Sequence, residues 1–231
     1  MKTNQVATNG SPAIPKRRVL IIDDHLVVRQ GLKHLINREE DLITCGDAGD
    51  AREGLDAIRL LSPDIVLVDI SLPGMNGVEF IKNAKACHPA LPIVVFSMHE
   101  ESLYAERVLR AGALGYVMKK ADSEELITAL RKALQGEIYT SGAVGGALLQ
   151  RLLGKQSPKR EFSVSRLSDR ELEVFELIGN GKTTREIAAS LNLSVKTVDT
   201  HRMHVKEKLG IRSSIELVQH AVHHVENLPE D

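Results

Sequence analysis

The first part of the chain alternates short, continuous apolar runs with longer segments in which apolar residues recur at helical spacing. A continuous apolar run is typical of a strand buried on both faces, as in parallel sheets covered by helices. Strands are therefore predicted at 18–22, 42–46, 65–68, 93–96 and 115–118, and helices at 26–38, 51–61, 78–87, 101–110 and 123–134. Asp24 and Asp122 are predicted to cap the helices that follow them. The succession predicts an α/β fold with a doubly wound, five-stranded parallel sheet.

The pattern changes after residue 136. Residues 137–165 are interrupted by glycine, serine and proline, so we predict a linker, with room for a short helix at 147–153. Residues 166–231 carry only helical patterns, at 169–178, 184–191, 195–209 and 213–225, and Ser168 followed by Glu171 forms a capping-box pattern. Residues 1–16 are polar and broken by proline, which predicts a disordered tail. The chain is thus predicted to hold an α/β domain at 17–136 and an all-α, four-helix domain at 166–231.

Composition narrows the class of protein without indicating a partner. Hydrophobic residues make up 42% and charged residues 26% of the 231 residues, as in soluble globular proteins, and 30 basic residues nearly balance 31 acidic ones. Cys45 and Cys87 show neither a CxxC pattern nor zinc-ligand spacing, so we expect buried thiols in a reducing compartment. The sequence has no signal-peptide pattern and no apolar run of membrane-spanning length. A cytoplasmic location without a membrane partner is therefore expected.

Polar residues follow the predicted strands where each strand ends. Asp23 and Asp24 follow the first strand, Asp69 the third, Ser97 the fourth and Lys119 the fifth. Because ligands bind at the carboxyl ends of parallel strands, these side chains are expected to converge. Three carboxylates in one place repel unless a cation joins them, and oxygen ligands favour Mg²⁺. A single aspartate at a strand end is more often a helix or turn cap, but five convergent groups favour a phosphoryl site with Asp69 as the nucleophile.

These residues resemble the CheY-like receiver domain of two-component response regulators, over residues 17–136. The resemblance rests on the segments 22–25, 69–77 and 115–119 and on Ser97, while Lys120 departs from the proline or aspartate of many relatives. It implies a flavodoxin-like fold in which Asp69 accepts phosphate from a histidine kinase. It further implies that Asp23, Asp24, Asp69 and the backbone carbonyl of Ser71 hold Mg²⁺, that Lys119 contacts the phosphoryl group, and that Ser97 and Tyr116 are switch residues.

The second half carries a helix-turn-helix pattern. The helix at 184–191 is followed by a short turn and the longer helix at 195–209. Ile187, Ala188 and Leu191 are predicted to pack against apolar residues of the longer helix, namely Val195, Val198 and Val205. Between residues 196 and 212 there are five basic and two acidic residues, a local excess that favours phosphate contacts although the whole chain is near neutrality.

Residues 166–225 resemble the LuxR-type DNA-binding domain of the NarL/FixJ group, through the segments 167–171, 181–188, 194–201 and 206–210. The resemblance implies that the helix at 195–209 enters the major groove of double-stranded promoter DNA. It places base or nearby backbone contacts at Lys196, Thr197, Asp199, Thr200 and Met203, and phosphate contacts at Lys182, Arg202 and Lys206. His201 either takes part in this surface or packs within the helix.

We therefore predict a phosphorylation-dependent transcriptional regulator rather than an enzyme, with a homodimer as the phosphorylated form. Phosphorylation of Asp69 is expected to pull Ser97 and Tyr116, so that the recognition helix is released from the receiver, dimerisation is promoted, or both. One alternative is a phosphate-independent DNA-binding regulator whose receiver serves only for dimerisation. A second is an aspartate-nucleophile phosphatase, which is disfavoured because Ser71 stands where that chemistry usually places a second acid.

Overall fold

The computed structural model of the protein describes residues 15–142, 144–146 and 164–226. Most of the predicted tail and the predicted short helix at 147–153 lie outside the described residues. The first ten elements, here called the α/β unit, are β1 (Arg17–Ile22), α1 (Leu26–Asn37), β2 (Leu42–Ala48), α2 (Ala51–Leu61), β3 (Ile65–Val68), α3 (Gly77–Cys87), β4 (Ile93–Ser97), α4 (Glu101–Ala111), β5 (Gly115–Met118) and α5 (Ser123–Leu134). All neighbouring strands are parallel in the order β2-β1-β3-β4-β5, which confirms the predicted fold class.

The apolar strands are buried because both faces of the sheet are covered. Successive residues of a strand point to opposite faces, so Val66 and Val68 pack into one apolar layer while Ile65 and Leu67 pack into the other. Helices α2, α3 and α4 supply residues to the first layer, and α1 and α5 to the second. This double burial explains why the strand sequences lack alternation.

Helix caps and cysteines differ from the sequence-based expectations at several positions. The N-cap of α1 is His25, not Asp24, because the helix begins at Leu26, and the Asp24 carboxylate lies 2.7 Å from His25 Nδ1. Asp122 occupies the N-cap of α5 as predicted, yet its side chain makes no capping hydrogen bond. Cys45 is partly buried, but Cys87 is exposed because it is the last residue of α3, so the expectation of two buried thiols was wrong.

Part of the predicted linker extends the sheet. The Tyr139 N–H donates to the Leu114 carbonyl at 2.8 Å, and the Tyr116 N–H donates to the Tyr139 carbonyl at 3.0 Å. Tyr139 therefore forms a parallel bridge with Gly115 beyond the edge strand β5. The chain is consequently ordered for several residues past α5.

A 3-10 turn (Val164–Arg166) leads into the helical unit, which comprises α6 (Asp169–Gly179), α7 (Thr184–Ser190), α8 (Val195–Leu209) and α9 (Ser214–Glu226). The capping box of Ser168 and Glu171 forms as predicted, and Thr183 with Glu186 forms a second one. Gly210, with a φ of 69°, ends α8 in the left-handed conformation that suits glycine.

The core of the helical unit joins α7 and α8 as the helix-turn-helix pattern predicted, with one exception. Ile187, Ala188 and Leu191 share an apolar cluster with Val198 and Val205. Val195 is 45% exposed, because it lies in the first turn of α8, so its predicted packing was wrong. Within the described residues, we find no helix long and apolar enough to cross a membrane.

Candidate functional site

The carboxyl ends of β1, β3 and β5 bring two aspartates and a lysine into contact. Lys119 Nζ lies 2.6 Å from Asp23 Oδ2 and 2.7 Å from Asp69 Oδ2. Both carboxylates are buried, and the Asp69 N–H continues the sheet ladder by donating to the Ile22 carbonyl at 2.9 Å. Burial alone would lower the pKa of Lys119, but the charge of Asp69 and the hydrogen bonds to Asp23 and Asp69 outweigh it and raise the pKa. The ammonium therefore stays charged between the two acids.

A third carboxylate completes a cluster of metal-ligand type. Donor atoms of Asp23, Asp24, His25 and Asp69 all lie within 4.8 Å of one another. Burial raises the pKa of Asp24, and the charges of Asp23 and Asp69 raise it further against the lowering effect of His25. The Asp24 side chain is 36% exposed, so this carboxylate is open to solvent, whereas those of Asp23 and Asp69 are buried. The oxygen-rich donor set fits a hard divalent cation.

The loop after β3 folds back closely on Asp69. The Ser71 N–H donates to Asp69 Oδ1 at 3.3 Å, and the Gly77 N–H donates to the Ile70 carbonyl at 2.8 Å. A Cβ atom on Gly77 would lie 2.3 Å from the Asp69 carbonyl oxygen, so this position has no room for a side chain. Asn76 caps α3 by accepting from the Glu79 N–H at 2.9 Å. The glycine and the cap together fix the backbone that carries Asp69.

The two predicted switch hydroxyls meet at a residue that the sequence analysis did not single out. Ser97 and Tyr116 are both buried, and both bond to the backbone of His99. The His99 N–H donates to Ser97 Oγ at 3.4 Å, and the Tyr116 hydroxyl donates to the His99 carbonyl at 2.6 Å. Burial raises the pKa of Tyr116 well above its usual value, and the charges of Asp69 and Glu176 add to the shift. Tyr116 therefore remains a neutral hydrogen-bond donor.

His99 also connects the two units through its side chain. Its Nε2 lies 2.9 Å from Ser71 Oγ, and its Nδ1 lies 2.9 Å from Glu176 Oε2 on α6. The Tyr104 hydroxyl donates to the same Glu176 oxygen at 2.9 Å. Burial would lower the pKa of His99, but the hydrogen bond and charge of Glu176 raise it above its usual value. A buried polar chain thus runs from the loop after Asp69 to the helical unit.

A second set of contacts joins the loop after β3 to the helix-turn-helix. Arg170 Nη2 donates to the Gly74 carbonyl at 2.7 Å and to the Leu191 carbonyl at 3.1 Å, and the Gly74 N–H donates to the Leu191 carbonyl at 3.3 Å. Arg107 on α4 donates to Asp169 Oδ1 at 3.0 Å. The residues that follow Asp69 therefore touch the C-terminal end of α7 directly.

These interface residues were not predicted from the sequence, although one signal was present. Glu173 and Glu176 lie within the run Leu172–Ile178, in which every other residue is apolar. A helix that is apolar on every side is buried on every side, so acids within it must have partners. Burial raises the pKa of Glu173 against the lowering effect of Arg170, whose Nη1 lies 2.7 Å from it.

The predicted DNA-contacting residues all lie at the surface. Lys182, Lys196, Asp199, Thr200 and Met203 are exposed, and Thr197, Arg202 and Lys206 are partly exposed. Within the part of the chain that the structure describes, none of these eight forms a hydrogen bond or ion pair with the α/β unit. The α/β unit therefore contacts α6 and the end of α7, and it leaves the side chains that are predicted to contact bases exposed.

His201 is partly buried within the helical unit. Its Nδ1 is buried and has no hydrogen-bond partner among the described residues. Burial, followed by the positive charge of Arg170, lowers the pKa of its imidazole. Of the two alternatives left by the sequence, the structure favours packing within the helix.

Known proteins match both units of the chain. The family model of the response regulator receiver domain matches residues 19–131, and that of bacterial regulatory proteins of the luxR family matches residues 165–221. The oxygen regulatory protein NreC of Staphylococcus aureus is 34% identical over 209 residues, which cover 89% of this chain and 96% of NreC.

Solved structures agree with this assignment. A structure of the RcsB response regulator of Salmonella typhimurium matches with a TM-score of 0.66 and 26% identity, over 91% of this chain and 98% of that chain. RcsB from Salmonella enterica serovar Typhimurium, bound to promoter rprA in the presence of phosphomimetic BeF3-, matches with a TM-score of 0.61 and 28% identity, over 90% and 98%. The chain therefore belongs to the response regulators that join a receiver domain to a LuxR-type DNA-binding domain, and it is a transcriptional regulator of a two-component system.

Proposed function

We propose that Asp69 accepts a phosphoryl group from a sensor histidine kinase and that this step controls DNA binding by the helical unit. An Asp69 carboxylate oxygen attacks phosphorus, the P–O bond forms as the P–N bond of phosphohistidine breaks, and the kinase nitrogen keeps the electron pair and takes up a proton. The observation that carries this proposal is the bridge from Lys119 to both Asp23 and Asp69. The Lys119 ammonium can stabilise negative charge on the Asp69 carboxylate before the reaction and on the phosphoryl oxygens during it.

We assign the magnesium ligands to Asp23, Asp24, Asp69 and the backbone carbonyl of Ser71. The clustering of the three carboxylates supports this assignment. When bound, Mg²⁺ would offset negative charge on the carboxylates and the phosphoryl group. Lys119 pairs with phosphoryl oxygens, while the buried Ser97 hydroxyl donates a hydrogen bond to one of them and Tyr116 follows the movement.

We assign DNA contacts to the surface formed by α8 and the start of α7. Lys196, Thr197, Asp199, Thr200 and Met203 meet base edges or nearby backbone, and Lys182, Arg202 and Lys206 meet phosphates. Exposure of these side chains supports the assignment, as does the promoter complex of RcsB. Lys206→Ala is expected to reduce the slope of log affinity against log salt by about 1, whereas Lys120→Ala in the receiver leaves it unchanged.

The proposed partners are the kinase, double-stranded promoter DNA and, after phosphorylation, a second copy of the chain. Two-fold dimers suit half-sites about one helical turn apart, and sedimentation velocity with and without phosphodonor measures the association.

We propose that the chain divides into a tail at 1–16, a receiver domain at 17–136, a linker at 137–165 and a DNA-binding domain at 166–231. We also propose a cytoplasmic location without a membrane partner, which the proposed promoter DNA partner supports. We further propose that it does not act as an enzyme on phosphate esters.

The deciding experiment uses full-length protein, acetyl phosphate with Mg²⁺, and a fluorescent duplex selected in vitro with the wild-type chain. Wild type is expected to incorporate phosphate and to bind the duplex more tightly, while Asp69→Asn does neither. Asp56→Asn, which removes an exposed carboxylate on α2, should behave as wild type. Equal DNA affinity and salt dependence of wild type and Asp69→Asn would instead support the phosphate-independent regulator. Turnover of phosphate esters by residues 17–136 would support the phosphatase.

A further inference from the structure

His99 occupies a junction between the proposed phosphorylation site and the helical unit. Its backbone N–H and carbonyl bond to the hydroxyls of Ser97 and Tyr116, and its Nε2 bonds to the hydroxyl of Ser71. Its Nδ1 bonds to Glu176 on α6. The side chain of His99 is 17% exposed and that of Glu176 is 7% exposed, so little solvent competes for the contact between them. One residue thus touches the hydroxyl groups around Asp69 and the DNA-binding unit.

The contact is held in place by packing as well as by hydrogen bonds. The imidazole of His99 lies against the ring of Tyr104, with 4.7 Å between ring centroids. The Tyr104 hydroxyl donates to Glu176, so the carboxylate is bound by two side chains of the receiver, His99 and Tyr104. A buried charged group that loses a hydrogen-bond partner is destabilised, because its desolvation is no longer compensated. The position of α6, which carries Glu176, therefore depends on the position of His99.

A phosphoryl group on Asp69 would draw toward itself the two serine hydroxyls that contact His99. Phosphoryl oxygens are stronger hydrogen-bond acceptors than an imidazole nitrogen or a hydroxyl oxygen, so the O–H groups of both serines are attracted to them. Ser97, whose bond from the His99 N–H is already long at 3.4 Å, is drawn toward the new oxygens. Ser71 stands two residues from Asp69 and can turn its hydroxyl from His99 Nε2 to the phosphoryl group. Both changes loosen His99 on the side that faces the site.

We propose that His99 is a positioning residue that fastens α6 to the receiver through Glu176 in the unphosphorylated protein. Phosphorylation releases Ser97 and Ser71 from His99, the contact between His99 and Glu176 opens, and the helical unit becomes free to arrange itself on DNA. This inference rests on the proposed phosphorylation of Asp69. It explains how gating works although the predicted DNA-contacting side chains are already uncovered.

The test compares full-length wild type with His99→Phe, Glu176→Gln and the double variant. Phenylalanine keeps the packing on Tyr104 and removes both side-chain hydrogen bonds, and glutamine keeps the shape of Glu176 without its charge. Each protein is measured for phosphate incorporation, for affinity to the selected duplex with and without acetyl phosphate, and for hydrogen exchange of α6. His88→Phe, at the C-cap of α3, is the matched control.

Both single variants are expected to bind the duplex at least about fivefold more tightly than wild type without phosphodonor, and to gain less from it. Hydrogen exchange of α6 should rise to the level of phosphorylated wild type, with phosphate incorporation unchanged. The double variant should add nothing to either single one, because both remove one contact. His88→Phe should match wild type throughout.

Two results would overturn the inference while leaving the proposed function intact. One is a full gain on phosphorylation in His99→Phe and Glu176→Gln with basal affinity as in wild type. The other is weaker DNA binding by both variants in both states, which would mean that the contact supports the bound form. By contrast, wild type that incorporates phosphate without any gain in DNA affinity contradicts the proposed function itself, and the inference falls with it.

Discussion

Two buried acidic clusters in this chain solve the same electrostatic problem in different ways. In the receiver, Asp23 and Asp69 share a single cation, Lys119. On α6, Glu171, Glu173 and Glu176 each have a different partner. These partners are Lys208 at 2.5 Å, Arg170 at 2.7 Å, and the pair of His99 and Tyr104, respectively.

The difference follows from the backbone that carries each cluster. Parallel strands end at one edge, so their side chains converge and one lysine can serve two acids. Residues on a helix point in different directions, so each buried acid requires its own partner. For Glu176 that partner comes from the other unit, and this makes α6 responsive to the receiver. Convergence of the strand ends gathers the carboxylates into one cluster, whereas divergence on the helix lets one acid, Glu176, reach the other unit.

Removing the shared cation is expected to have the largest effect. Lys119→Met leaves Asp23 and Asp69 buried and uncompensated, which should lower the free energy of unfolding by about 3 kcal/mol in the absence of Mg²⁺. Adding Mg²⁺ should restore part of the loss, since the cation replaces the ammonium charge. Urea unfolding with and without the metal measures both effects. Lys120→Met removes a half-exposed neighbour and should change stability by no more than about 0.5 kcal/mol.

Each unit also contains a glycine that allows a close backbone approach. A Cβ on Gly77 would lie 2.3 Å from the Asp69 carbonyl oxygen, and a Cβ on Gly179 would lie 2.4 Å from the Ala221 carbonyl oxygen. Gly77→Ala and Gly179→Ala are each expected to cost about 2 kcal/mol in urea unfolding. Gly31→Ala, inside α1 with nothing near its Cβ, should instead stabilise by about 0.5–1 kcal/mol. A neutral result for either of the first two would mean that the neighbouring backbone yields easily.

Helix caps distinguish the two units on a smaller scale. Ser168 forms a capping box with Glu171, whereas Asp122 at the N-cap of α5 makes no side-chain capping bond. Ser168→Ala should cost about 1 kcal/mol, and Asp122→Ala only a few tenths by comparison. Thermal unfolding followed by far-UV circular dichroism compares the two variants. Equal losses would contradict the difference in capping.

The smallest expected effect is a dependence on pH in the helical unit. Burial would raise the pKa of Glu171, but hydrogen bonds from Lys208 and Ser168 outweigh it and lower the pKa below its usual value. The charged carboxylate therefore contributes stability above the pKa of the unfolded chain. This contribution is lost as the pH falls through the lower pKa of the folded state. Lys208→Met should flatten the stability profile in that acidic range, measured by urea midpoints, and an unchanged profile would contradict this linkage.

Much of the fold was predictable because its determinants are local. Apolar runs predicted the five strands, and helical spacing together with the capping box predicted the helices within a few residues. The meeting of Asp23, Asp69 and Lys119 followed from one rule about strand ends. The cap of α1 was predicted wrongly: the N-cap is His25, and the Asp24 carboxylate contacts the His25 side chain, which the local pattern does not reveal.

By itself, the sequence determined the class of fold, the helix-turn-helix and the edge of the sheet where the carboxylates gather, since each depends on residues close together or on a general property of parallel sheets. Only the tertiary structure decided that His99 meets Glu176, that Arg170 meets Gly74 and that the recognition surface stays uncovered. These contacts join residues 77 and 96 positions apart on separate units. The physical reason is that docking of two domains depends on complementary surfaces, which exist only after each domain has folded.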